Sequence, residues 1–365
     1  MGKCFSCCGT WRGTILENSS TTQEGKSMIE SQPDTRISPR PHRKIPIQER
    51  SVRIGDAIVV NAFHANRALL KQRFAEGGYQ IHETHHFLVF TRSTAPAPVF
   101  VHWFAPEEIN ADLGSHIMQE LRPAGFVRHA DDFGLMIAAI VCSLAPTDPH
   151  HAFYRYAINT LHQYHYLLDT DMPHTSSHSN MDAFATLYRR VCQLPLGESL
   201  LDAGCLFGFL TLLVAERIPT LKRIVGLDIQ SENFPILRAL VEEKRLHHVQ
   251  FVQADLLEDE VKMLGSFDTV VALDVLEHFT EAQMDKVLLN LLAVTTQRLV
   301  IAVPYESEPE KIYGHQQTFT HAKLEAVGQW CVEQWRGHAR YWYEECVGGF
   351  LVIERSVTAP YEYGR

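Results

Sequence analysis

The chain has 365 residues, is 45% hydrophobic and carries a formal net charge of −10. That apolar share is enough for a buried core, and the acidic balance argues against duplex nucleic acid, which selects for basic surfaces. No run approaches the roughly 18 apolar residues of a membrane span, and no charged-then-apolar leader opens the chain, so a cytoplasmic protein without stable membrane association is expected.

Residues 1–45 are rich in Ser, Thr, Gln, Pro and Arg, show no periodicity, and read as a disordered tail. Within it "MGKCFS" fits the N-myristoylation pattern, with Cys4, Cys7 and Cys8 close by for palmitate. The remaining cysteines, Cys142, Cys192, Cys205, Cys331 and Cys346, stand singly in apolar segments, which suits a reducing compartment.

Residues 46–195 read as an N-terminal α+β and helical region. "IGDAIVV" predicts a strand, and "FHANRALLKQRFAEGG" a helix stopped by Gly77-Gly78. "YQIHE", "HFLVFTR" and "PVFVHWF" predict short strands. Helical spacing follows around 110–122, 131–144 and 149–168. After the polar break "DTDMPHTSSHSN" comes "MDAFATLYRRVCQL", a helix that Ser179 or Asn180 can cap. Tyr154, Tyr156, Tyr164 and Tyr166 read as a helix packing face, with sugar stacking as the functional alternative.

From residue 196 to 356 the texture changes. "SLLDAG", "RIVGLDI", "VQFVQAD", "FDTVVALDV" and "RLVIAVP" are apolar runs separated by helical patterns, and "ARYWYEE" with "GGFLVIER" closes as an antiparallel pair. Buried strands alternating with helices imply an α/β fold with a mostly parallel, seven-stranded sheet. Residues 357–365 read as a short tail.

In such a sheet, ligands lie beyond the carboxyl ends of the strands. Those ends carry Asp202 with Gly204, then Asp228 with Ile229, then Ala254-Asp255, then Asp274. Any one acid alone has a helix cap as its alternative reading. Four in succession read as a nucleoside site, because a carboxylate accepts from both ribose hydroxyls. A pyrophosphate seat needs G-x-G-x-x-G. The loop "DAGCLFGF" offers only Gly204 and Gly208, with Leu206 at the middle position, so a dinucleotide is not expected.

These residues resemble the class I S-adenosylmethionine-dependent methyltransferases over Glu198 to Glu354. The likeness rests on "LLDAGCLFG", "VGLDI", "QAD" and "FDTVVALDVLEH" in that order. It implies a Rossmann-like domain with S-adenosyl-L-methionine as cofactor. Asp202, Gly204 and Gly208 would lie under the methionyl part, Asp228 and Ile229 at the ribose, Ala254 and Asp255 at the adenine, and Asp274 near the sulfonium.

A narrower resemblance, over about residues 50–355, is to the bacterial mycofactocin oligosaccharide methyltransferases, carried by "GCLFGF", "VLEH", "VPYESEPEKIYGHQQTF" and "VGGFLV". It implies O-methylation of a glucose unit on a peptide-derived, glycosylated cofactor, and a bacterial source sets the lipidation reading aside. Alternatives are a quinone- or lipid-type small-molecule methyltransferase and a non-catalytic cofactor-binding protein.

A sugar hydroxyl is a poor nucleophile at neutral pH, so a general base is expected. His278 in "LEH" is the first candidate and His315 in "YGHQQTF" the second. Asp274 and Glu277 would position the hydroxyl or orient a histidine, although Glu277-His278 also read as a helix cap. The same four residues resemble the metal set of small-RNA end methyltransferases. That family's E-x-x-E-x-x-H spacing is absent, so no metal is assigned. Paired histidines such as His85-His86, His150-His151 and His247-His248 alternate faces in a strand and lack ligand spacing in a helix. They are read as surface or core fillers.

Overall fold

The computed structural model describes residues 51–54, 57–94, 97–170 and 179–356. The expected tails over 1–45 and 357–365, with the acylation pattern and its three cysteines, lie outside the described residues.

Five short strands form the first sheet: β1 (Ser51–Ile54), β2 (Ala57–Asn61), β3 (Gln80–Glu83), β4 (Phe87–Thr91) and β5 (Val99–His102), ordered β1-β2-β5-β4-β3. The segment expected as one strand, "IGDAIVV", is split between β1 and β2, which pair antiparallel from Ser51↔Val60 to Ile54↔Ala57. Gly-Asp is a two-residue reversal signal, and an apolar run read as continuous passes over it. Helix α1 (Arg67–Glu76) lies between β2 and β3. Asn66 caps it, accepting from Leu69 N at 3.0 Å, and Gly78 at φ +74° ends it, a conformation in which glycine carries no Cβ penalty.

Helices α2 (Leu113–Glu120), α3 (Ala130–Cys142), α4 (Pro149–Asp169) and α5 (Asn180–Cys192) follow at the expected places. Ser179 caps α5, accepting from Asp182 N at 3.2 Å. Of the four tyrosines on α4, Tyr156 and Tyr164 are buried, whereas Tyr166 is 59% exposed.

The second sheet has the seven expected strands: β6 (Ser199–Ala203), β7 (Arg223–Asp228), β8 (Val249–Gln253), β9 (Phe267–Leu273), β10 (Thr295–Val303), β11 (Ala339–Glu345) and β12 (Gly349–Arg355). Their order is β11-β12-β10-β9-β6-β7-β8. The pairs among β6 to β10 are parallel, and β12 runs antiparallel to both β10 and β11. The crossovers use α6 (Phe209–Arg217), α7 (Phe234–Glu243), the single turn α8 (Glu260–Met263), α9 (Glu281–Val294) and α10 (His321–Gln334). This is the Rossmann-like α/β architecture, and the chain order reverses between β6 and β9.

The alternation of strand side chains explains the runs of uninterrupted apolar residues. Val271 and Val300 enter one core, and their neighbours Val270 and Ile301 enter the other. At about 1.5–3 kcal/mol for each such side chain fully buried, both faces contribute to stability. The first core continues without a break from Leu200, Leu212 and Phe234 into Ile117, Ile140, Leu161 and Val191 of the N-terminal helices.

Candidate active site

At the switch point, Gly204 and Cys205 donate their N–H groups to the Leu227 carbonyl at 2.7 and 2.9 Å, folding the loop after β6 over the end of β7. Gly204 lies at φ +80°, and a Cβ there would meet Val275 Cγ2 at 2.6 Å. Gly208 lies at φ +61°, and its Cβ would meet Phe251 at 2.6 Å. Both glycines are therefore demanded by packing as well as by backbone angle. Leu206, at the position where a third glycine was missed, also has a positive φ, +48°. The loop keeps the conformation that glycine favours without the glycine.

An open crevice lies beside this loop. Gly204, Asp228, Ile229, Ala254, Asp255 and His278 line it. Asp228 is 5% exposed and accepts from Leu206 N and Gln230 N, each at 2.8 Å. Burial raises its pKa against those bonds. A carboxylate has about four acceptor sites, so capacity remains for a vicinal diol. Asp255 accepts from Leu257 N at 2.9 Å, which fixes the turn after β8. These residues fit a nucleoside.

Asp202, Gly208 and Asp274 do not line the crevice. Asp202 is buried beneath the loop and accepts from Thr211 Oγ1 at 2.6 Å; burial pushes its pKa up to about 6. The crevice wall also includes Leu257, Phe279 and Gln283, which sequence reasoning missed. Nothing marks an apolar residue at a strand end as a ligand contact, although Phe279 directly follows "LEH".

A second cluster sits where β9 and β10 end. Asp274 adopts φ +51° at the end of β9, and its N–H donates to the Ala302 carbonyl at 2.9 Å. Burial, reinforced by Glu306, pushes its pKa up to about 7. Leu276–His278 form a single 3₁₀ turn. Glu277 is 1% exposed, and neither carboxylate oxygen has a hydrogen-bond partner. Burial, with Asp274 next, pushes its pKa well up. His278 Nε2 and His315 Nε2 each lie 4.0 Å from Glu277 Oε1. The two rings meet edge to face at 5.0 Å. Burial, then His315, lowers the His278 pKa to about 4.

His315 reaches this cluster from the loop after β10. Its Nδ1 lies 2.9 Å from Glu306 Oε2. The loop is clasped from outside by Arg122, just past α2, whose guanidinium donates to both Glu310 oxygens at 2.7 and 3.1 Å. All four expected catalytic residues thus converge, and Glu306 joins them. Donor atoms of Glu277, His278 and His315 lie within 4.8 Å of one another, a set able to hold a divalent cation.

A family model described as a methyltransferase domain matches residues 200–298. The chain is 34% identical over 116 residues to the O-antigen chain terminator bifunctional methyltransferase/kinase WbdD of Escherichia coli, covering 30% of this chain and 16% of that protein. It is 24% identical over 138 residues to the carboxy-S-adenosyl-L-methionine synthase of Dichelobacter nodosus, covering 36% of this chain and 57% of that one. Among solved structures, an O-methyltransferase family protein from Burkholderia thailandensis is 14% identical with a TM-score of 0.39, over 68% of this chain and 94% of that one. The chain therefore spans less than two thirds of the curated relatives it matches. Strand order, crevice and family match agree: the chain carries a class I methyltransferase domain whose cofactor is S-adenosylmethionine.

Proposed function

We propose that the protein transfers a methyl group from S-adenosylmethionine to a sugar hydroxyl, with a glucose unit of the mycofactocin oligosaccharide as the acceptor that its sequence resemblance implies. The observation carrying this reading is the carboxylate-oriented histidine, Glu306–His315, beside a neutral His278 at the cofactor crevice. A carboxylate on Nδ1 fixes the tautomer and supports the charge that forms when Nε2 takes a proton. The carboxylate-oriented His315 is assigned as the base, and His278, held neutral by burial, positions the hydroxyl. The cofactor supplies an electrophilic methyl on sulfur. The protein's own contribution is alignment and proton removal. The WbdD relative, named for terminating O-antigen chains, is consistent with a saccharide acceptor.

The test is to incubate protein, S-adenosylmethionine and glucose oligosaccharides and look for a mass gain of one CH₂. Cofactor that is bound but never consumed with any glycan would overturn the sugar reading and leave the quinone- or lipid-type acceptor, or a non-catalytic binder. One observation favours a second reading. Glu277 is a buried carboxyl group whose two oxygens have no hydrogen-bond partner, and among the described residues the basic side chains within 4.0 Å of it are histidines. A divalent cation on Glu277, His278 and His315 would satisfy that carboxylate. Turnover that vanishes on chelation and returns with metal would select this reading over the histidine base.

A further inference from the structure

The geometry points to a metal site apart from the residues that line the crevice, in which His85, His86, His116 and Glu120 bind a borderline divalent cation of the zinc type. His116 and Glu120 are one helical turn apart on α2, the i,i+4 spacing that presents two ligands on one face. His85 and His86 come from the turn between β3 and β4. In a strand such neighbours would point to opposite faces, but in this turn they reach the same place. His85 Nδ1 lies 3.3 Å from His86 Nδ1, which contacts Glu120 Oε1. His116 Nδ1 lies 3.9 Å from that same oxygen. The His86 and His116 rings are 4.1 Å apart. Nitrogen and oxygen ligands at about 2.0–2.1 Å from a tetrahedral ion are separated by about 3.3 Å, close to this spacing.

The surroundings hold these side chains in place. Arg67 donates to the carbonyls of His85 at 2.8 Å, of Phe87 at 3.3 Å and of Thr84, fixing the turn. His86 N donates to Glu120 Oε2 at 2.8 Å, leaving Oε1 for the site. Phe104 stacks on His86 at 4.8 Å. Such outer partners orient metal-binding imidazoles. The field also suits a cation, because the carboxyl groups of Asp112 and Glu108 act on His116 in the same direction as Glu120 does. His85 is exposed, which gives the ion an entry path. A bound ion would staple the β3–β4 turn to α2.

The test uses the full chain, stripped with a chelator and titrated with Zn²⁺ by calorimetry, comparing wild type with His85→Ala and with Glu120→Gln. Because His85 is exposed in a turn, His85→Ala keeps the fold, and retained S-adenosylmethionine binding verifies this. The difference between wild type and variants isolates this site from any ion taken up at Glu277, His278 and His315. The expected result is one zinc fewer per chain, or at least a tenfold weaker affinity, in each variant, a loss seen even for second-shell partners of zinc ligands. Zinc stoichiometry and affinity unchanged in both variants would overturn the site. So would failure of wild type to bind zinc at micromolar concentration.

Discussion

The crevice with its supporting loop and the cluster beside it are built in opposite ways. On the cofactor side, each carboxylate has found its partner: Asp228 accepts from two backbone N–H groups, Asp202 from Thr211, and Asp255 from Leu257. On the acceptor side, Asp274 sits at a positive φ, Glu277 has no partner, and two histidines crowd one carboxylate. The first is finished before its ligand arrives. The second holds unmet hydrogen bonds that a substrate or ion would satisfy, as functional sites commonly do.

The largest effect should come from breaking the acceptor side alone. His315→Ala is expected to lower kcat by about 10²–10⁴, the usual contribution of a general base, with cofactor affinity unchanged in calorimetry. Glu306→Gln should fall in the same direction but less far. If both variants turned over normally, the proton would be leaving by another route. On the cofactor side, Asp228→Ala removes two charge-assisted bonds of about 1.5–3 kcal/mol each, so affinity should drop about a hundredfold or more. Equilibrium binding measures this.

The next effect is one of pH. Asp202 has a folded pKa raised to about 6, so the folded protein binds a proton that the unfolded chain, with its ordinary carboxylate, has already released. Stability contributed by the protonated form is therefore present at low pH and declines as pH rises from about 4 to about 6. Asp202→Asn, whose side-chain carbonyl still accepts from Thr211, should flatten that part of the pH–Tm curve relative to wild type. An unchanged slope would mean Asp202 is charged throughout. The smallest effect is at Leu206. Replacing it with glycine relieves a left-handed strain of about 1–2 kcal/mol but adds unfolded-chain freedom and removes half-buried contacts, so stability should move by about 1 kcal/mol or less. Cofactor affinity should stay within a few fold, whereas a large loss would show that the leucine side chain itself shapes the crevice.

Much of the cofactor side was legible because each of its signals is local. An apolar run ending in an acid gives both the strand and the ligand position, and that pattern placed Asp228 and Asp255 at the crevice. The acceptor side depends on contacts between distant segments. Glu306, Glu308 and Glu310 look alike in "YESEPEKIYGH", and only folding sends Glu306 to His315 and Glu310 to Arg122. The demand for glycine at 208 was visible, but its cause, the Phe251 ring, was not, since it lies on another strand. His85-His86 read as filler because the pair was judged by strand and helix periodicity, and it occupies a turn.

The Arg122–Glu310 clasp has a consequence for how such a protein diversifies. The seven-stranded unit could be exchanged between proteins together with the whole lining of its crevice, because every lining residue comes from β6 to β9, the segments that follow them or the start of α9. The loop bearing Glu306 and His315 is different: one of its anchors belongs to the helical region that precedes the sheet. A transplanted sheet would thus arrive still able to recognise its methyl donor but without the fit to its old acceptor, so new acceptor specificity can arise by recombination upstream without altering a residue that touches the cofactor.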